Sequence, residues 1–342
     1  MSDSGDGGNA ILNVGVDLGT SRSSISASNG KRQVIRSYVG WPADMVARKV
    51  LQRDVLIGED ALENRIMLDL HRPLERGLIK EGSEKDADAV RELLQHLISL
   101  VRHDDGQVRA VVGVPAEALR VNRQQLRTAM SGLVDQLMIV SEPFAVAYGL
   151  EALLHALVID IGAGTADFCV MNGRYPTEED QRTLTQAGDS VDDQLSQLIA
   201  ARYPEANFSE HMIREWKEKH SFVGEPKGVV EVEAPVNGVP TQLDITEEMR
   251  QACESLLPPV TETMIDLISR VQPEYQGKVR QNVILSGGSG LIRGFGASLQ
   301  AALGEIGGGQ VRVVKDPIYV GSDGGLALAT DAPESDWEKL SA

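Results

Sequence analysis

Two stretches decide the fold: Val14-Gly-Val-Asp17-Leu-Gly-Thr20 and Leu157-Val-Ile-Asp160-Ile-Gly-Ala-Gly-Thr165. Each is an apolar run that ends in Asp, followed by one apolar residue, a glycine turn and a hydroxyl residue. Each then leads into a second β-patterned run, Ile25–Ser28 after the first and Asp167–Met171 after the second. The first reads as a hairpin, with strand Ile11–Asp17, turn Leu18–Ser24 and Gly19 supplying the flexible corner. The same supersecondary unit occurs twice, about 140 residues apart, so the chain reads as two related α/β domains.

The loops themselves carry chemistry. Glycine lets backbone N–H groups approach phosphate oxygens, and Thr or Ser hydroxyls add donors. An Asp at a strand end places a carboxylate where a magnesium ion can sit through its water shell. A third glycine loop, Ser286-Gly-Gly-Ser-Gly290, follows the short apolar run Val283–Leu285. One such loop means little, since glycine turns after strands are common. Two with matching Asp–x–Gly spacing, and a third besides, point to bound phosphate. Common rivals fail on the residues. No GxxxxGK[ST] is present. A dinucleotide fingerprint from Gly162 needs glycine or alanine where Asp167 stands, and a helix where a strand follows. A hydrolase elbow at Ser289 needs a glycine where Leu291 stands.

Composition bounds the rest. With 342 residues the chain has room for two domains, each with its own core. Hydrophobic residues at 42% and charged residues at 24% are the balance of a globular protein. A net charge of −17 argues against sequence-independent nucleic-acid binding, which needs a cationic face. Cys169 and Cys253 are too few for a disulfide framework and read as buried reduced thiols. The six histidines are scattered without metal-ligand spacing. Residues 1–10 read as a disordered tail, neither signal peptide nor amphipathic anchor, and no apolar run is long enough to span a bilayer.

Further elements follow from pattern. Val90, Leu93, Leu94, Leu97, Ile98 and Val101 give a helix from Ser83. Arg109–Val114 and Leu137–Val140 are strands, with a helix expected over Asn122–Leu133 between them. Helices are expected over Val191–Ala201 and Glu210–His220. A hairpin is expected around Asn237-Gly238, and two helical segments over Glu247–Val271 split by Pro258-Pro259.

Taken together, the paired Asp-Gly loops, Val111-Val-Gly-Val-Pro115, Ser141-Glu-Pro-Phe144 before Ala147-Tyr-Gly149, and Leu285-Ser-Gly-Gly-Ser289 resemble the actin/DnaK-chaperone/sugar-kinase ATPase superfamily. The match runs in the family's order over about residues 11–330. Arg72-Pro-Leu-Glu-Arg-Gly-Leu-Ile79 resembles the segment by which actins leave their small first subdomain. Lys217-Glu218-Lys219 resembles the ribose-contacting helix of actin. Ser221-Phe-Val-Gly224, Pro273-Glu-Tyr-Gln276 and Lys315-Asp-Pro317 are most similar to the magnetosome-associated bacterial actins.

The resemblance implies a duplicated actin-like ATPase fold, two domains each with a mixed five-stranded sheet and helices, plus small inserted subdomains. It places domain I at 11–155 (small subdomain about 33–78) and domain II at 156–317 (small subdomain about 196–250), with 318–342 returning to domain I. It implies ATP and Mg²⁺ as cofactors, bound between the two domains. Asp17, Gly19, Thr20 and Ser21 would form the first phosphate loop, and Asp160, Gly162, Ala163, Gly164 and Thr165 the second, with Asp17 and Asp160 organising the metal. Glu142 would position the attacking water, with Asp160 and Thr165 beside the reacting phosphate. Lys217 and Glu218 would meet the ribose, and Gly287, Gly288 and Ser289 the adenosine side. Ala166 departs from the hydroxyl residue usual in bacterial loops, and Gly188-Asp189 from a Gly-Gly or Gly-Asn pair, which bears on turnover rate.

Fold membership does not name the job. Too little chain follows Ala329 for a chaperone's peptide-binding domain, no sugar-binding constellation is visible, and neither terminus offers a membrane-inserting tip. The expectation is a cytoplasmic, cytoskeletal ATPase that polymerises with itself, hydrolysis driving filament turnover, and that organises magnetosome chains. Contact with an organelle or membrane would go through an adaptor, without direct insertion and without nucleic acid. The alternatives are an MreB-type cell-shape filament and a small-molecule kinase of the same superfamily.

Overall fold

The computed structural model describes residues 11–79, 84–103, 106–116 and 119–341; the expected tail at 1–10 lies outside them. The chain divides into two compact units, Met1–Ala152 with Asp316–Ala342, and Leu153–Lys315.

The first unit is built on a five-stranded sheet. Its central strand, Leu12–Leu18, pairs antiparallel with Arg22–Ala27, which pairs antiparallel with Arg32–Arg36. On its other side it pairs parallel with Val108–Val114, itself parallel to Gln136–Ser141. The turn of the opening hairpin is shorter than the sequence suggests, occupying only Gly19–Ser21. Alternation along the central strand sorts its two faces. Val14, Val16 and Leu18 join Leu93, Leu94 and Leu97 of helix Glu84–Val101 in one core. Gly15 and Asp17 point the other way, toward helix Val320–Asp331. That helix lies so close that a Cβ on Gly15 would stand 2.0 Å from the Ser322 carbonyl oxygen. Gly324 meets helix Glu142–Gly149 as tightly, with an added Cβ 1.8 Å from the Ala145 carbonyl oxygen.

Two small sheets sit in the insertion after the third strand: Val39–Pro42 flanked by Leu56–Ile57 and Leu68–His71, and the pair Leu74–Glu75 with Leu78–Ile79. The helix expected over 122–133 runs instead over Leu119–Met130. It stops where Gly132, at φ +75°, turns the chain.

The second unit repeats the first. Leu154–Ile161 is central, antiparallel to Ala166–Asn172 and through it to Gln181–Leu184, and parallel to Val283–Ser286 and then Val311–Val313. In both sheets the strands take the same order and the same senses, as the two related domains read from the Asp-Gly stretches and the mixed five-stranded sheets implied by the resemblance require. Leu157, Ile159 and Ile161 face a core with Val191, Leu195 and Ile199 of helix Gly188–Arg202. The Asn237-Gly238 hairpin forms as expected, between Glu231–Val236 and Val239–Asp244, with both turn residues at positive φ. Pro258 and Pro259 sit in the first turn of helix Leu257–Arg270. There a missing N–H costs nothing, and a separate helix, Thr246–Glu254, precedes them. Among the described residues no helix is long and apolar enough to cross a membrane.

Candidate functional site

In the first unit the candidate residues gather at the carboxyl ends of the parallel strands, the usual ligand-binding end of such sheets. Asp17 is the penultimate residue of the central strand and lies opposite Gly113 of its neighbour. Gly113 in turn abuts Glu142, whose Cγ would be 3.5 Å from a Cβ placed on that glycine. Glu142 opens helix Glu142–Gly149, with Pro143 fixing the backbone of its first turn. Asp17 and Glu142 therefore flank one glycine at one sheet end.

Burial pushes the Asp17 carboxyl up to about 6. A Cβ on Gly321, at the start of helix Val320–Asp331, would stand 2.8 Å from Asp17 Oδ2. Among the described residues Asp17 has no hydrogen-bonding or ion-pairing side chain. A desolvated carboxylate without a counter-charge fits a divalent cation, with hard oxygen chemistry of the kind Mg²⁺ takes.

The first glycine loop is held from behind. Ser37 Oγ, fully buried, donates to the Gly19 carbonyl oxygen at 2.7 Å and lies 2.8 Å from Ser23 Oγ. Arg72 Nε donates to the Thr20 carbonyl oxygen at 2.9 Å. With two loop carbonyls tied down, its amides and the Thr20 and Ser21 hydroxyls are the donors that remain for a ligand. The sequence offered no sign of Ser37, and it gave Arg72 only a topological role.

The second unit repeats this design with different residues. Asp160 is again penultimate in the central strand and lies opposite Ser286. Gly287, at φ +81°, passes so close that a Cβ would stand 2.5 Å from Asp160 Oδ1 and 2.3 Å from the Ile161 carbonyl oxygen. Only glycine fits there. The loop Gly162–Thr165 closes on itself through Gly162 N to the Thr165 carbonyl oxygen at 2.9 Å.

Two segments then converge on that loop's carbonyls, with three hydrogen bonds. Ser289 Oγ donates to Gly162 O at 2.8 Å, Gly188 N to the same oxygen at 3.1 Å, and Asp189 N to Ala163 O at 2.7 Å. The second loop, the Gly287–Ser289 turn and the start of helix Gly188–Arg202 are thus one hydrogen-bonded assembly. Ala187–Asp189 is the segment that sequence reasoning underrated. Its signals are a glycine opening a helix and the departure of Gly188-Asp189 from the family's usual pair.

Lys217 completes the assembly. The resemblance gave Lys217 to the ribose; the structure buries its side chain, at 8% exposed, on helix Glu210–His220. Its Nζ donates to Gly188 O at 2.6 Å and lies 2.8 Å from Asp192 Oδ1. Arg214 reaches Asp192 and Asp189 at 3.5 and 3.7 Å. Burial raises the Asp192 carboxyl, and Lys217 and Arg214 pull it back. Glu218, the other residue of the expected ribose pair, is exposed.

The family described as MreB/Mbl protein matches residues 11–334. The actin-like protein MamK of Paramagnetospirillum magneticum (strain ATCC 700264 / AMB-1) is 39% identical over 330 residues, covering 96% of this chain and 95% of that protein. MamK of Magnetospirillum gryphiswaldense (strain DSM 6361 / JCM 21280 / NBRC 15271 / MSR-1) is 38% identical over 330 residues, at 96% and 92% coverage. Among solved structures, a MamK double helical filament matches with TM-score 0.92 and 40% identity, over 95% of this chain and all of that one. A non-polymerising MamK mutant bound to AMPPNP matches with TM-score 0.73 and 39% identity at the same coverage. With its two Asp-ended central strands and their tied glycine loops, the chain belongs to the MreB/Mbl family of actin-like proteins.

Proposed function

We propose that the chain is the subunit of an actin-like cytoskeletal filament that binds Mg·ATP, polymerises head to tail and uses hydrolysis to turn the filament over. The observation that carries this reading is the repetition of one device in both units: a penultimate Asp on the central strand, then a glycine loop whose carbonyls are tied back. Relatives solved as a filament and with AMPPNP support it. A heterologous contact that does not close generates an open fibre, and identity to MamK favours a role in organising magnetosome chains.

In this reading the amides and hydroxyls of Gly19, Thr20 and Ser21 and of Gly162, Ala163, Gly164 and Thr165 hold the phosphates. Asp17 and Asp160 would hold the metal. When bound, Mg²⁺ offsets the charge of the phosphate oxygens. Glu142 orients water for in-line attack on the γ-phosphate and accepts its proton, which is positioning work rather than covalent chemistry. Thr165 closes the second loop beside the reacting phosphate. Gly287 and Gly288 line the adenosine side, and Glu218 contacts the ribose hydroxyls. Any tie to a membrane or organelle runs through an adaptor. Calorimetry tests the nucleotide assignment: Asp17→Ala should bind ATP more weakly than the parent when Mg²⁺ is present. Equal affinities would contradict it.

A further inference from the structure

The resemblance to actin gives Lys217 to the ribose, but its ammonium group is already engaged. Nζ has three N–H donors; one is given to the Gly188 carbonyl oxygen at 2.6 Å, and the ammonium forms an ion pair with Asp192 Oδ1 at 2.8 Å. The side chain is almost wholly buried, and its partner Asp192 also lies 3.5 Å from Arg214, which reaches Asp189 at 3.7 Å. Gly188 is itself a pivot. A Cβ there would stand 2.6 Å from Ser289 Oγ, 3.1 Å from Gly162 O and 3.3 Å from Ala163 Cα. Whatever holds Gly188 therefore sets how the second phosphate loop and the Gly287–Ser289 turn meet.

We propose that Lys217 is a positioning residue: bridging Asp192 and the Gly188 carbonyl, it clamps the first turn of helix Gly188–Arg202 onto Gly162-Ala163. The loop amides are thereby preset for phosphate before nucleotide arrives. The inference rests on the reading of this loop as a phosphate site. Lys217 and Asp192 lie on different helices, Glu210–His220 and Gly188–Arg202. The bond to Gly188 O spans 29 residues of sequence, so the clamp fixes tertiary structure rather than a local turn. Ser289 acts in the same way through Gly162 O.

Three variants test it: Lys217→Met, Asp192→Asn and the pair combined. Asp192→Asn keeps volume and hydrogen-bonding capacity, so it serves if Lys217→Met does not fold. Affinity is measured by calorimetry for Mg·ATP and for Mg·2′,3′-dideoxy-ATP, which lacks the ribose hydroxyls. Lys217→Met should weaken both nucleotides by the same factor, about tenfold, the scale of one charge-assisted hydrogen bond. Asp192→Asn should act in the same direction, and the double variant should lose no more than Lys217→Met alone. In nucleotide-free protein, amide hydrogen exchange at Gly188 and Asp189 should accelerate in both single variants. A loss confined to ATP and absent with the dideoxy nucleotide would make Lys217 a ribose ligand and overturn the proposal. So would unchanged exchange at Gly188 and Asp189. A parent protein that binds neither nucleotide refutes the phosphate reading instead, and the exchange result still decides whether Lys217 clamps the helix.

Discussion

Replacing Glu142 with Ala separates catalysis from binding and assembly. Glu142 is the first residue of its helix and only half buried. A carboxylate at a helix N-terminus contributes about 0.3–1 kcal/mol, a small part of the roughly 5–15 kcal/mol that holds a typical domain folded. The Glu142 Cγ lies beside Gly113, 3.5 Å from where a Cβ on that glycine would stand, and its side chain belongs to neither apolar core. The folded fraction should therefore stay near that of the parent. ATP binding should also stay, because the variant removes no amide or hydroxyl of either loop. Phosphate release should fall about 10²-fold, roughly 2.7 kcal/mol of barrier, as expected for one positioned general base. Glu142→Gln, which keeps the shape without the charge, should be equally slow. The assay pairs phosphate release at saturating Mg·ATP with sedimentation over time: both variants should assemble, and their polymer should persist where the parent's decays. Hydrolysis by Glu142→Ala at the parent rate would refute the assignment and leave Glu142 as a helix-start acid.

Other outcomes follow from the same geometry. Asp17 titrates near 6 in the free protein because burial penalises its charge. This raised value favours the fold below the ordinary carboxylate range, an advantage lost as pH rises through about 6. Cation binding needs the ionised form, so apparent Mg·ATP affinity measured by calorimetry should fall about tenfold per pH unit below 6; Asp17→Ala should lack that dependence. Gly324→Ala would place a carbon 1.8 Å from the Ala145 carbonyl oxygen, where ordinary contact begins at 3.4 Å. It should destabilise the first unit by about 3 kcal/mol, read as a lower denaturant midpoint, and an unchanged midpoint would contradict the close helix packing. Burial pushes the Cys253 thiol up to about 11 and raises Cys169 further, so neither should be alkylated in the native protein at about pH 8, while both react in urea.

What the sequence disclosed and what it hid have different physical origins. The two central strands are legible because Asp17 and Asp160 interrupt apolar runs just before glycine, a local pattern. Asn237-Gly238 and Pro258-Pro259 are legible because they constrain their own backbone. The packing of Gly15, Gly321 and Gly324 is not legible. It joins residues about 180 to 310 positions apart, and a glycine in a helix carries no mark of what lies against it. The carbonyl ties by Ser37, Arg72, Ser289 and Gly188 are hidden for the same reason. Lys217 shows the limit most clearly. In sequence it is one charge among several on a polar helix, and only the fold brings Asp192 and the Gly188 carbonyl to it as a buried ion pair and hydrogen bond.

Electron microscopy of the purified protein with and without Mg·ATP tests the central claim most directly. Filaments should form with the nucleotide and be absent without it. With −17 charges per subunit, assembly should strengthen as salt rises toward physiological ionic strength, where self-repulsion is screened. A protein that stays monomeric with Mg·ATP across salt and concentration, yet phosphorylates a sugar or acetate, would contradict the filament reading and place the chain among the small-molecule kinases of the same superfamily.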